Sequence, residues 1–435
     1  MSGSIWTKQL KMPEFPRLEG RVKTNILIIG GGICGILCAY FLDLMGEDYI
    51  LAEGNRICSG ITHNTTAKIT SQHGLCYKKM LDSYGKEKAS LYLKANERAL
   101  SLYIRLAKNI DCDFEIKPNY VYSMKSKKDL KEEVRAAKEL GFDAEFLDIT
   151  ELPFKTKGAV RFKDQAQFHP LKFISHIAKD LNIYENTFIK DLSDPKTARS
   201  SEAVISANKI IVASHFPFIN KHGSYFMKLY QHRSYVLAVE NAPMLEGMYV
   251  DADKKGMSFR CHKDLLFIGG GGHRTGKPGG SWKELRDFKA KYFPDAKEVC
   301  HWAAQDCMSL DGIPYIGKYS ANTPDLYVAS GFNKWGMTSS MAAAEMLSNA
   351  VTGQKSEFLS IFSPQRSIIK PQLFINSFES AKNFIVPTTK RCSHLGCALK
   401  WNEPEHTWDC PCHGSRFETN GQVINNPAQK DAKIE

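Results

Sequence analysis

The stretch Asn25-Ile-Leu-Ile-Ile-Gly30-Gly31-Gly32-Ile-Cys-Gly35 constrains the fold most, because an apolar strand run breaks into glycines and resumes as an apolar helix, Ile36 to Leu44. In a βαβ unit these positions have separate duties: Gly30 permits the tight turn, Gly32 lets the backbone approach a pyrophosphate, and Gly35 lets helix and strand pack closely. The helix N-terminus adds unsatisfied N–H groups and the positive end of its dipole. A second apolar run, Asp48 to Ala52, ends in Glu53, eighteen residues after Gly35, where an acid accepts hydrogen bonds from ribose hydroxyls. The alternative is a glycine-rich turn without a ligand.

The other dense signal is C-terminal. Cys392-Ser-His394-Leu-Gly-Cys397 is followed, after a twelve-residue spacer, by Cys410-Pro-Cys412-His413-Gly-Ser415. A Cys-x-His pair facing a Cys-x-x-His pair is the ligand set of a Rieske 2Fe-2S centre: Cys392 and Cys410 on one iron, His394 and His413 on the other. Neutral imidazole in place of thiolate raises the potential to roughly −150 to +300 mV. A tetrahedral zinc knuckle takes the same four ligands but leaves Cys397 and Cys412 unexplained.

The boxes resemble those of the Rieske proteins in respiratory and photosynthetic cytochrome complexes. That resemblance implies a disulfide between Cys397 and Cys412 and a hydrogen-bonding role for Ser415. The tyrosine expected two residues later is Phe417, and the loss of its hydrogen bond implies a lower potential than in those relatives.

Two further segments, Trp302 to Gly317 and Tyr327 to Thr338, resemble the C-terminal FAD-closing segments of the D-amino-acid oxidase superfamily, which includes glycine oxidase and sarcosine oxidase. Ile210-Ile-Val-Ala-Ser-His215-Phe-Pro217 is similar to its internal strand-to-turn segment. With the cysteine boxes, the chain is identified as a member of a bacterial group of such flavoproteins with a fused C-terminal Rieske module. The resemblance implies an α/β fold: a Rossmann-type FAD-binding domain, an inserted mixed-sheet substrate domain and a small all-β Rieske-type domain. It implies FAD and a 2Fe-2S cluster as cofactors. Thr65, Thr66, Asp311, Gly331, Trp335, Gly336, Met337 and Thr338 join Gly30, Gly32, Gly35 and Glu53 as expected FAD-binding residues.

Expected boundaries are an N-terminal arm over 1–24, unlikely to hold structure alone, an oxidoreductase over 25–360, a linker over 361–384 and a shortened Rieske domain over 385–435. Within the oxidoreductase, about 25–85, 150–220 and 300–355 are assigned to FAD binding, and about 86–149 and 221–299 to the substrate domain. Helical spacing predicts helices over 75–110 and 127–140; alternation predicts strands at 118–123, 235–239, 257–260 and 265–268, with Gly269 to Gly272 in a polar turn. Only about thirty residues separate Phe362 from Cys392, too few for a full set of base strands, which leaves open whether the module folds alone or needs to pack on the flavin domain.

Composition excludes other classes. A chain of 435 residues with 43% hydrophobic and 24% charged residues is ordinary globular usage. It shows no apolar run long enough for a secretory signal or a membrane span, giving a cytoplasmic expectation without an integral membrane segment. The net charge of +11 is scattered, which argues against nucleic-acid binding. Cys34, Cys38 and Cys300 sit in apolar stretches as small buried thiols.

For chemistry, the expected order is substrate to FAD to cluster to a one-electron acceptor protein or quinone. The resemblance places His63 and Lys68 beside the flavin as positive charge; the alternative is a solvated loop. Leu265 to Gly269 lacks the lysine with which the oxidases activate dioxygen, pointing to a dehydrogenase. Asp306 stands where glycine oxidase carries a carboxylate-binding arginine, so it either attracts an ammonium group or caps a turn. An amine or amino-acid-like substrate leads. A C–O oxidising enzyme with His273-Arg274-Thr275-Gly276-Lys277 as anion contacts, and an electron carrier or redox sensor without a metabolic substrate, are the alternatives. No cysteine stands where sarcosine oxidases attach FAD, although Cys307 is near, so FAD is expected to be noncovalent.

Overall fold

The computed structural model describes residues 3–8, 10–194, 196–253 and 255–434. Strand Gly20–Ile29 pairs in parallel with Ala203–Val212 on one side and Tyr49–Ala52 on the other, and Thr323–Ser330 joins Ala203–Val212 in parallel. Ile26 to Ile29 are all buried, as strands covered on both faces require. Gly30 turns the chain with φ +114°, and a Cβ on Gly35 would stand 1.9 Å from the Gly30 carbonyl oxygen. Helix Ile33–Leu44 then packs against helix Gly336–Val351, where Ser348 Oγ donates to the Cys38 carbonyl at 3.3 Å.

A second, nine-stranded sheet holds Lys297–Ser309, Leu229–Glu240, Leu265–Arg274, Ser258–His262, Met248–Asp251, Glu115–Tyr122, Ala159–Gln167 and Lys68–Ile69 in that order, with Glu145–Leu147 on the side. Ala159–Gln167 and Lys297–Ser309, from stretches assigned above to FAD binding, run in this sheet. A four-stranded antiparallel sheet, Lys400–Asn402, Thr407–Asp409, Arg416–Phe417 and Val423–Asn425, forms the C-terminal lobe.

Three expectations are corrected. The boundary between 24 and 25 falls inside the first strand, which begins at Gly20, and the described residues before it pack on the rest of the fold: Trp6 is fully buried and its indole N–H donates to the Thr65 carbonyl at 2.7 Å. Gly269 to Gly272 form no turn but continue strand Leu265–Arg274 alongside Leu229–Glu240, and glycine is needed there because Cβ atoms on Gly269, Gly270 and Gly272 would meet Ser258 Oγ, Met257 Sδ and the Arg233 carbonyl. The linker over 361–384 is largely helical, with Leu359–Phe362 and Pro371–Ile385. The helices predicted at 75–110 and 127–140 are Tyr77–Ala107, kinked at Gly85, and Lys127–Glu139.

Candidate active site and cluster nest

A cleft of 1240 Å³ runs between the two large sheets and reaches the C-terminal lobe. Gly30, Gly32 and Glu53, expected to bind the nucleotide, line one end of it. Glu53 accepts from the backbone N–H of Gly31 at 2.6 Å and of Asn55 at 2.8 Å, while its burial raises its pKa. Thr62 Oγ1 receives the Ile33 N–H at 3.1 Å, steadying the helix start. Gly35 lies behind this wall, consistent with its packing duty.

His63, Thr65, Thr66 and Lys68 line the adjoining loop. Burial lowers the His63 pKa, and its Nδ1 sits 2.9 Å from the Cys58 carbonyl oxygen. Burial, then the Arg260 guanidinium, lowers Lys68 to about 7. Gly331, Trp335, Gly336 and Met337 close the opposite side. Thr338 lies behind them and exchanges hydrogen bonds with the Thr70 backbone at 2.8 and 3.0 Å. Asp311 is not in the cleft: Arg366 pairs with both its oxygens at 2.8 Å and Tyr84 donates at 3.0 Å, so its role is structural.

The third wall is built by register. His232 and Asp306 are cross-strand neighbours on Leu229–Glu240 and Lys297–Ser309, and Tyr230 and Ser234 share their face by alternation. Asp306 is therefore a mid-strand residue, not a turn cap. It accepts from Ser234 Oγ at 3.3 Å, and its burial raises its pKa against the lowering field of Lys334. Lys334, deep in the cleft but open to its solvent, has a lowered pKa. His232 is kept neutral by burial, at about 3, and its Nδ1 has no partner. The sequence reading missed His232 and Lys334; Lys334 lay within a quoted segment, and His232 is found only from the strand register. Cys307 borders the cleft, its Sγ 3.5 Å from Ser330 Oγ and its thiol pushed up to about 12 by burial.

The opposite face of the same strands holds the C-terminal lobe. Gln231 Nε2 donates to the carbonyls of His413 at 3.0 Å and Asn426 at 2.8 Å, and Gln305 Nε2 donates to Gly414 O at 2.8 Å. Arg233 grips Glu405 with both Nε and Nη2, and Arg416 and the Tyr235 hydroxyl reach the same carboxylate at 2.8 and 3.0 Å. Although burial raises the Glu405 pKa, the two guanidiniums hold it at about 2. Arg274 donates to the carbonyls of Pro411 and Cys412, at 3.0 and 2.9 Å, and Lys277 pairs with Glu379 at 2.6 Å. The expected anion contacts of residues 273–277 are thus corrected: these cations fasten the lobe.

Within the lobe, Cys397 and Cys412 form a disulfide. The Cys410 thiol, the His394 N–H and the Ser415 hydroxyl surround the Cys392 sulfur and lower its pKa. The His394 and His413 rings stand 5.0 Å apart at 89°, and both Nδ1 atoms are buried without a partner. Burial keeps both imidazoles neutral, at about 4 and 3, the form that ligates metal. Two adjoining thiols and two orphaned imidazole nitrogens fit a 2Fe-2S centre. Phe417 is fully buried where the relatives' tyrosine was expected. Both imidazoles turn towards the flavin side: His394 Nε2 lies 3.1 Å from Asn220 Oδ1, His413 bonds the Phe226 backbone, and the Phe216 ring is 6.5 Å from each.

Residues 25–350 match the model of the DAO family, described as FAD dependent oxidoreductase. The chain belongs to the DAO family. A second match, to the Rieske [2Fe-2S] domain, covers residues 338–434. The DAO domain binds FAD and the Rieske domain binds a 2Fe-2S cluster. YhfW of Bacillus subtilis (strain 168), described as a Rieske 2Fe-2S iron-sulfur protein, is 32% identical over 99% of this chain and 97% of its own. The cytochrome b6-f complex iron-sulfur subunit of Synechococcus sp. (strain JA-3-3Ab) is 46% identical over 43 residues, 10% of this chain and 25% of that protein. Among solved structures, glycine oxidase from Geobacillus kaustophilus superposes with a TM-score of 0.67 at 18% identity, over 80% of this chain and 99% of that one. L-proline dehydrogenase from P. horikoshii gives 0.66 at 17% identity, over 81% and 98%. Among the described residues, no helix is long and apolar enough to cross a membrane.

Proposed function

We infer that this DAO oxidoreductase is a dehydrogenase of an amine or amino-acid-like compound that sends its electrons through the Rieske centre to an external one-electron acceptor, a protein or a quinone. The observation that carries the relay is the docking of both cluster imidazoles on the wall of the flavin cleft. His215 lines that cleft, and the next residue, Phe216, places its ring 6.5 Å from each imidazole.

Bound FAD supplies a two-electron acceptor for a C–H bond beside nitrogen, and the cluster carries electrons singly. The chain's own residues bind and orient the substrate. Asp306, fixed by Ser234, supports capture of a substrate ammonium group, and its raised pKa also suits it to accept that group's proton. Lys334, in the turn before helix Gly336–Val351 and near enough for its charge to act on Asp306, offers a partner for a carboxylate, so a zwitterion satisfies both. His63 and Lys68 line the same cleft: burial keeps His63 a neutral hydrogen-bonding group, while Lys68, lowered to about 7, takes up a proton and brings positive charge where negative charge collects on reduction. The strand Leu265–Arg274 carries no lysine, which supports transfer to the cluster over reaction with dioxygen.

Anaerobic flavin bleaching against amines, amino acids, hydroxy acids and reduced carriers tests the substrate class. Bleaching by amines or amino acids is expected. Bleaching by hydroxy acids alone would return the C–O reading, and bleaching by a reduced carrier alone would make the protein an electron carrier.

A further inference from the structure

Helix Pro371–Ile385 is amphipathic the wrong way round for a helix packed on a protein core. Its inward stripe is polar: Gln372, Asn376, Glu379 and Asn383 recur at helical spacing and face the protein. Asn376 Oδ1 accepts from Arg274 at 2.9 Å and from Gln372 Nε2 at 3.0 Å, Glu379 pairs with Lys277 at 2.6 Å, and buried Asn383 donates its Nδ2 to the Glu379 carbonyl at 2.8 Å while its backbone carbonyl accepts the Ala398 N–H at 2.9 Å. The outward stripe is apolar, with Phe374 66%, Ile375 52%, Phe378 67%, Phe384 47% and Ile385 82% exposed, and Ile369 just before it 75%. Leaving such a face in water forfeits the burial that ordinarily holds a helix in place.

The shape and charge of this face select its partner. The side chains form a convex ridge along one helix, not a pocket. Residues 367–391 carry four basic side chains, Lys370, Lys382, Lys390 and Arg391, against one acid, Glu379, which is turned inward and neutralised. Lys382 lies on the exposed side, where its stem can follow the apolar ridge while its ammonium stays at the polar boundary. An apolar ridge flanked by lysine, on a chain of net charge +11, is the pattern of a helix lying in the plane of an anionic lipid surface. We propose that helix Pro371–Ile385 docks the protein on anionic membranes, with the Phe374, Phe378 and Ile385 ridge in the headgroup–acyl boundary.

Docking in this way brings the cluster loops to the lipid surface. The helix lies against them: Cys412 Sγ is 3.9 Å from the Glu379 carbonyl oxygen, and a Cβ on Gly396 would be 3.7 Å from the Phe384 ring. The proposal does not depend on which substrate reduces the flavin.

Co-sedimentation of the full cofactor-loaded chain with phosphatidylglycerol vesicles and with phosphatidylcholine vesicles tests it. Binding to the anionic vesicles, absent from the neutral ones and weakened by salt, is expected. Phe374→Ser with Phe378→Ser should weaken it at least ~tenfold at unchanged cofactor content, since neither side chain supports the fold. Lys382→Glu should weaken it less. Failure of the parent to bind, or equal binding by the serine pair, would overturn the proposal. So would sedimentation velocity showing a dimer that the serine pair dissociates, without vesicle binding, because the ridge would then face a second copy of the chain.

Discussion

The paired strands Leu229–Glu240 and Lys297–Ser309 carry polar side chains on both faces and treat them oppositely. On the cleft face, His232 keeps an unpartnered Nδ1, and Asp306 has one long hydrogen bond and a raised pKa. On the other face, Gln231, Arg233 and Gln305 are saturated by carbonyls and a carboxylate of the Rieske domain. Unsatisfied buried polar groups are costly, so a wall that retains them is organised for a ligand, whereas a saturated wall is an interface. Inside the Rieske domain the same contrast recurs at atomic scale, since the only unpartnered buried side-chain atoms of the described cluster loops are the two imidazole Nδ1 atoms.

The largest expected effect lies on the cluster. His413→Ala should remove the Rieske resonance and about two irons and two sulfides per chain, while substrate still bleaches the flavin and reduction of a one-electron acceptor collapses. Stoichiometric zinc without sulfide in the parent would break the contrast at its root.

The interface comes next. Arg233→Ala removes one of the two guanidiniums on buried Glu405, and because Arg416 and Tyr235 remain, the loss should fall near the low end of the ~3–5 kcal/mol typical of a broken buried pair. Denaturation of the full chain measures this, and faster proteolysis within 361–391 should accompany it. An unchanged midpoint would mean that the lobe is held elsewhere.

The cleft should respond more mildly. Asp306→Asn should raise KM for a cationic amine by roughly tenfold to a hundredfold, or ~1.4 to 3 kcal/mol, with smaller changes in kcat. Because burial raises the Asp306 pKa, ammonium binding should be intact above that raised value and lost as pH falls through it, beginning above the ~3.9 of an ordinary aspartate. The acid limb of kcat/KM should vanish in the asparagine variant; a limb that persists would assign it to another group.

What could be read in the sequence was local. Gly30 to Gly35 and the two cysteine boxes each place their chemistry within a few residues, so spacing alone carried the reading. His232 and Asp306 are 74 residues apart, and only strand register makes them neighbours. Arg274 and Lys277 looked like free cations because their partners, Pro411, Cys412 and Glu379, arrive from more than a hundred residues away. Helix Pro371–Ile385 escaped detection because Pro364 and Pro371 mark the stretch as a linker; its amphipathic period is in the sequence, but periodicity is the same whichever stripe faces inward, so the outward turn of the apolar stripe is visible only in the structure. Asp311 sat in a segment resembling the FAD-closing region, yet Arg366, in the expected linker, claims it.

The central claim is that electrons cross from the flavin cleft to the cluster inside one chain. Anaerobic single-turnover mixing with a bleaching amine, followed by flavin absorbance and by the Rieske resonance after rapid freezing, tests it most directly. The account predicts a cluster signal that follows bleaching at a rate independent of protein concentration. A flavin fully reduced beside an oxidised cluster, or a cluster rate that rises with protein concentration, would contradict it.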